Sequence, residues 1–408
     1  MVRHWIQRFS RTHPDLQFFL VGVALFGFSQ SLVDSTFNNF LNDTFRLTDL
    51  QRSLLEVPRE LPGLLVVFVS AALGFLCNRR RAVFAMFAMA AGVGLLGWAA
   101  WTYPVMLVWL FITSVGQHLF LPLNSAIGME LANVDRSGQR LGQLNAVKNL
   151  VIVLGSLFVL IGFKYLHFTF PLTFTLAALG FALAAWSIFR MRPNKPQPAA
   201  MHLKLYKEYR LFYWLNILYG TRKQIFITFA PWVLVTVYHQ PTQMIALLLT
   251  LGGVAGIFFQ PLLGKWVDTR GEKFVLSGEA LLLIGVCLLY GFSGSWFPHS
   301  LALVVVCACF VADQLLMSVS MARATYLKKI ALDPEHISQT LTAATSIDHV
   351  FSISMAVAGG VLWKLYGFQA VFLLGAIIAL INLLSALRIV IPARTKTTID
   401  LGETRPSV

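Results

Sequence analysis

Charge is scarce in this chain: 12% of its 408 residues are Asp, Glu, Lys or Arg, against roughly 25% in soluble domains. Acids are the scarcer sign, 18 against 32 bases. No polar stretch is long enough to form a sizeable soluble domain. Cysteine is rare too, and Cys77, Cys287, Cys307 and Cys309 all lie within or beside apolar runs. Cys307-x-Cys309 lacks zinc spacing and a second ligand pair, so these thiols read as packing residues. There is no H-E-x-x-H, no G-x-S-x-G and no clustered metal ligand set. An enzyme is therefore not expected, and neither is a catalytic residue, a cofactor or a metal. The opening "MVRHWIQRFSRTHPDLQ" is basic and polar rather than a cleavable leader, because the first apolar run is long enough to span a membrane.

What fills the chain instead is hydrocarbon. Hydrophobic residues make up 57% of it, in recurring runs of about 20 residues that each suffice to cross a bilayer core. Spans are predicted near 16–41, 51–77, 82–101, 104–131, 142–165 and 168–189. Six more follow near 209–237, 241–263, 274–293, 300–326, 339–363 and 367–389. Continuous apolar runs, rather than short alternating strands, predict an all-α integral membrane protein of twelve helices. With the N-terminus inside, 24 of the 32 Lys and Arg residues fall in inner segments, among them Arg79 to Arg81, Arg136, Arg140, Arg190 and Arg192. That bias places both termini in the cytoplasm, in a cell (inner) membrane. It also accounts for the +14 net charge without nucleic acid as a partner.

Segment 190–208, "RMRPNKPQPAAMHLKLYKE", is Pro-rich, basic and nearly central. It reads as a cytoplasmic linker between bundles 1–189 and 209–390, with a cytoplasmic tail at 391–408. The halves carry matching landmarks. "GFLCNRRRAV" begins at Gly74 and "GKWVDTRGEKFVL" at Gly264, 190 residues later, each after the second helix of its half. The later stretch resembles the loop motif of the major facilitator superfamily, G-x-x-x-D-x-x-G-x-[KR], through Gly264, Asp268, Gly271 and Lys273, with Arg270 between. In the earlier copy Asn78 replaces the acid and Arg81 stands at the second glycine. The resemblance implies two pseudo-symmetric six-helix bundles around a cavity that opens to each side in turn. It also implies that helices one, four, seven and ten line that cavity, while two, five, eight and eleven form the interface between bundles.

Charges inside the membrane are costly and persist beside water, a partner or a ligand. In "YGTRKQIFITFAPW" Arg222 lies roughly 20 Å along the helix from either end of its span, too far to snorkel. It is expected to face the cavity as the foremost ligand-binding cation, with Lys223, about 100° round the helix, as a second candidate solute contact or a salt-bridging residue at the wall. Other candidate solute contacts are Asp34, Asn38, Gln117, Asp313, Gln314 and Tyr219, with Phe226 and Trp232 as further aromatics near the cations. Matched positions pair Asp34 with Arg222, Gln117 with Asp313, Lys148 with Asp348, and Asn149 with His349. Lys148 and Asp348 are read either as a cross-bundle inner gate or as residues paired locally within their own bundles. In "LEVPRELPG", Glu56, Arg59 and Glu60 read as a self-neutralised cluster, with Glu60 as gate or proton carrier the alternative. Asp34, Asp313, Asp348 and His349 are candidate proton carriers.

The expected function is alternating-access transport of a small polar, anionic organic solute, with proton symport as the coupling. The partners are the solute, membrane lipid and protons, and the protein is expected as a monomer. A multidrug/proton antiporter of the same fold is the alternative, although the fifth helix lacks the glycine-proline pattern typical of such exporters. A non-transporting membrane sensor is a further one, set against a tail too short for an output domain.

Overall fold

The computed structural model describes residues 13–132, 137–195 and 205–391. Residues 196–204 of the expected linker, the tail 392–408 and Arg136 lie outside the described residues. No strand occurs among those described, and nearly every predicted span is a helix. A backbone in lipid must satisfy its own N–H and C=O groups, and helices do so within a single segment.

The first span is Pro14–Phe40, opened by a proline in the first turn and continued as a π turn over Leu41–Phe45. The second is broken into Asp49–Leu54 and Glu56–Ala72. Thr48 and Gln51 form a capping box at its start, satisfying donors that the first turn leaves free. Then come Asn78–Trp98, Tyr103–Glu130, Ser137–Tyr165 and Phe170–Phe189. The seventh span is Arg210–Thr236. The eighth and ninth form one run, Thr242–Trp296, divided at Gly271 (φ 80°, ψ 167°). Only a glycine adopts that backbone without strain, which gives the motif glycine a structural role at the turn. The tenth span continues from His299–Met317 into Ser320–Ile330, and the last two are Pro334–Tyr366 and Phe368–Ala386.

Spans one to six pack chiefly on one another, as do seven to twelve. The halves meet where the fifth span lies on the eighth and the second on the eleventh. Named polar contacts across this seam run from mid-depth to the face opposite the linker. Asn39 Nδ2 donates to the Gln240 carbonyl (3.0 Å), Trp232 Nε1 to Asp49 (2.8 Å) and Gln243 Nε2 to the Phe163 carbonyl (3.3 Å). Nearer mid-depth, Asn149 Nδ2 donates to Gln260 Oε1 (3.2 Å).

On the linker face, the degenerate first motif copy has a structural use. Arg79 bonds Asp15 at 2.5 Å, Glu130 at 2.7 Å and the Arg192 carbonyl at 2.6 Å, tying the first, third and fourth spans to the chain leaving the sixth. Arg81 donates to the carbonyls of Leu73 (2.9 Å) and Gly74 (3.2 Å), holding the turn that Asn78 ends. The second half repeats the device with the signs exchanged, as Lys329 at the end of the tenth span meets Glu272 at the start of the ninth (2.7 Å). Asp268, Arg270 and Lys273 are exposed at the Gly271 turn, with the Arg270 guanidinium over the Phe274 ring at 4.9 Å.

Arg79→Ala leaves Asp15 without its ion-pair partner in a largely buried site. It is expected to cost about 3 kcal/mol, the loss typical of breaking a buried ion pair. Thermal unfolding in detergent measures this, and an unchanged melting temperature would show that the Arg79 cluster does not hold the bundle.

Candidate functional site: a cavity between the halves

A cavity of about 360 Å³ lies between the two halves. The first span supplies Asp34, Phe37 and Asn38, and the second supplies Arg59. From the other half come Phe226, Ile227 and Pro231 of the seventh span, Ile245 and Leu249 of the eighth, and Phe310, Asp313, Gln314 and Met317 of the tenth. Its polar groups are thus two carboxylates, one guanidinium and two amides among aromatic and aliphatic walls, the composition of a small-molecule site. Asp34 is exposed to this space although it lies deep in its helix, and its Oδ1 accepts from Gln30 at 2.9 Å. Asn38 Oδ1 accepts from Arg52 Nε at 3.1 Å, a bond that uses neither of the Nδ2 hydrogens.

Arg222 is not where the sequence expectation put it. It is 2% exposed, does not line the cavity, and forms an ion pair with Asp313 at 2.8 Å. Nη1 points to the Met317 sulfur at 3.2 Å, and the guanidinium lies 5.8 Å from the Phe226 ring centroid. The physical reason is desolvation: a buried cation is held most favourably by a carboxylate at contact, and Asp313 on the tenth span supplies one. The cavity therefore meets the acid of the pair, with the base behind it. Lys223 bonds Asp348 of the eleventh span at 2.6 Å, with side chains 21% and 14% exposed. Both mid-membrane cations are neutralised within the second half.

This settles which partners the matched acids and bases take in this conformation. Lys148 does not pair with Asp348. It lies by the Phe26 ring, 5.8 Å from its centroid, and near enough to Asp34 to interact with it, so Lys148 and Asp348 each find their partner within their own half. The second-span cluster also divides. Glu56 is held by Arg52 (2.6 Å) and Arg59 (3.2 Å), whereas Glu60 turns to His349 of the other half (2.9 Å). Arg52, near the start of the second span, is fully buried. Lys223, Gln117 and Tyr219 do not line the cavity. Tyr219 lies instead under Arg323 (3.5 Å to the ring centroid), which itself meets Glu279 at 3.3 Å. Trp232 is wholly buried and is committed to Asp49.

Sequence reasoning missed Arg52, His118, Glu279 and Arg323. His118 is one residue beyond Gln117, and a polar census that counted histidines on every span would have found it. Arg52, Glu279 and Arg323 lie toward span ends in sequence, where charges are unremarkable, and nothing short of tertiary packing shows that they are buried.

With this geometry in view, comparison with known proteins is informative. A sequence profile described as Major Facilitator Superfamily matches residues 19–322 and 212–407, and the chain belongs to that superfamily. A curated relative from Mannheimia succiniciproducens, described as a probable sugar efflux transporter, is 26% identical over 224 residues. That match covers 53% of this chain and 56% of the relative, so the two correspond over about half their lengths. The fold is shared with the nucleoside transporter NupG, at TM-score 0.69 and 12% identity, covering 92% of this chain and 98% of that one. A D-xylose-proton symporter gives TM-score 0.64 at 16% identity, with 91% and 95% covered. All three are transporters rather than enzymes.

The local pairing makes a specific demand on the Lys223–Asp348 pair. Either single change, Lys223→Asp or Asp348→Lys, is expected to lower stability by about 3 kcal/mol, and the exchanged double variant to recover most of it in thermal unfolding. Exchange of Lys148 with Asp348 should give no such recovery; rescue there instead would restore the cross-bundle gate.

Proposed function

We propose that this protein is a secondary transporter for a small polar solute without net charge, sugar-like in its hydroxyl chemistry, moved by alternating exposure of the cavity between bundles 1–189 and 209–390. One observation carries the solute class: Arg222, the cation expected to attract an anion, is already neutralised by Asp313 behind the cavity surface. What faces the solute is Asp34, Asn38, Asp313 and Gln314, with Arg59 tied to Glu56. Carboxylates and amides accept and donate to hydroxyl groups, while Phe37, Phe226 and Phe310 offer flat apolar faces to a ring. The description of the Mannheimia relative as a probable sugar efflux transporter supports the same class. Anion transport is the weaker reading, because two cavity acids repel a carboxylate or phosphate.

The positive bias of the linker face supports a cytoplasmic location for both termini. On that orientation the contacts from Asn39, Trp232 and Gln243 favour a conformation closed on the outer side. Asp313 is the carboxylate placed to link protons to transport: it borders the cavity, and taking up a proton there releases its hold on Arg222.

Purified protein screened for thermal stabilisation should respond to neutral sugars or nucleosides and not to carboxylates or phosphate esters. For the responding compound, Asp34→Asn or Gln314→Ala is expected to weaken binding about tenfold, the magnitude of one lost hydrogen bond to a charged or buried polar group. Stabilisation by organic anions that disappears in Arg222→Gln would overturn the assignment.

A further inference from the structure

Glu60, His118 and His349 come from three spans, two in the first half and one in the second, and converge at mid-depth. Glu60 Oε2 lies 2.9 Å from His349 Nδ1 and 3.9 Å from His118 Nε2. One ligand atom from each residue falls within 4.8 Å of the others. The imidazoles meet edge to face with centroids 4.9 Å apart. All three are largely withdrawn from solvent, with side chains 9–13% exposed.

The surroundings prepare these atoms. His118 Nδ1 lies 3.0 Å from both the Ser114 carbonyl and its hydroxyl. A proton on Nδ1 donated to that carbonyl leaves the Nε2 lone pair aimed toward Glu60, the orientation that metal-bound histidines receive from a carbonyl partner. Ser114 is itself fixed by donating to the Arg59 carbonyl. Nearby charges are committed elsewhere: Arg59 and Arg52 to Glu56, and Lys223 to Asp348. Gly63 provides the room. A Cβ there would stand 2.6 Å from both the His349 Nε2 and the His118 Cδ2.

From this arrangement we infer that Glu60, His118 and His349 form a binding site for one borderline transition-metal ion of the zinc class, joining the two halves of the protein. Two imidazoles and a carboxylate suit Zn²⁺ and its neighbours rather than Mg²⁺. Bonds of about 2.0–2.1 Å at tetrahedral angles separate ligand atoms by about 3.3 Å, between the 2.9 and 3.9 Å seen here. Side-chain shifts of about 1 Å suffice. Because His349 belongs to the eleventh span and the other two ligands to the second and fourth, a bound ion clamps the seam at mid-depth and favours the present conformation over its alternative. The sequence offered no sign of this, since the ligands lie 58 and 231 residues apart along the chain.

The test uses zinc alone and so is independent of the transported solute. Full-length protein with any affinity tag removed is stripped with chelator, dialysed against Zn²⁺ and assayed for metal content. One Zn²⁺ per chain is expected, with a raised melting temperature that Mg²⁺ does not reproduce. X-ray absorption should show two imidazoles in the zinc shell. His118→Ala, His349→Ala and Glu60→Gln are each expected to weaken binding at least tenfold, while His336→Ala, on the linker face beside Tyr206 and Tyr209, leaves it unchanged. Glu60→Gln keeps the side-chain shape should a histidine variant fail to fold. Absence of stoichiometric zinc in the wild type, a zinc shell without histidine, or affinity retained in Glu60→Gln would overturn the inference.

Discussion

Everything about the cavity follows from how the second half neutralises its own buried cations. Arg222 and Lys223 sit at mid-membrane, where an uncompensated charge costs several kcal/mol. Asp313 and Asp348 meet them from the tenth and eleventh spans at 2.8 and 2.6 Å. These two pairs do more than remove a penalty: they fix which face of each group remains for chemistry. Asp313 keeps contact with the cavity and Arg222 does not. A cation that seems from the sequence to advertise an anion site thus becomes the support for an acid-lined one.

The first half handles charge differently. Asp34 stands exposed in the cavity with Gln30 as its hydrogen-bond donor and Lys148 within electrostatic reach. Glu56 is enclosed by two arginines, and Glu60 reaches across the seam to His349. The cavity lining therefore combines a loosely held acid from the first half with a firmly held one from the second. Such asymmetry within a pseudo-symmetric scaffold gives the cavity two unlike walls.

The architecture was legible in the sequence because bilayer physics leaves few choices. An apolar run of the right length must be a helix, and the observed spans begin and end within a few residues of the predicted ones apart from the breaks. Those breaks, at Leu55 and after Met317, left no periodic signal. The Gly264-to-Lys273 motif identified the superfamily correctly, and Gly271 shows why a glycine is needed there. Membership of the cavity was partly legible: Asp34, Asn38, Asp313 and Gln314 were named as solute contacts and do line it, whereas Arg59, read into the second-span cluster, lines it as well. Pairing was not. Offsets between halves place residues at similar depth, but depth does not say which way a side chain turns round its helix. That angle decided Arg222 toward Asp313 and Lys223 toward Asp348. His118 escaped because its partners Glu60 and His349 lie far away in sequence, and Arg52 because only tertiary packing buries it.

The central claim is that Arg222 belongs to the wall and the acids and amides belong to the solute. An experimental structure with transported solute bound tests it most directly. The account predicts solute hydroxyl groups within hydrogen-bond distance of Asp34, Asn38 or Gln314 while Arg222 remains on Asp313. A solute carboxylate or phosphate held by a guanidinium that has left Asp313 would contradict it.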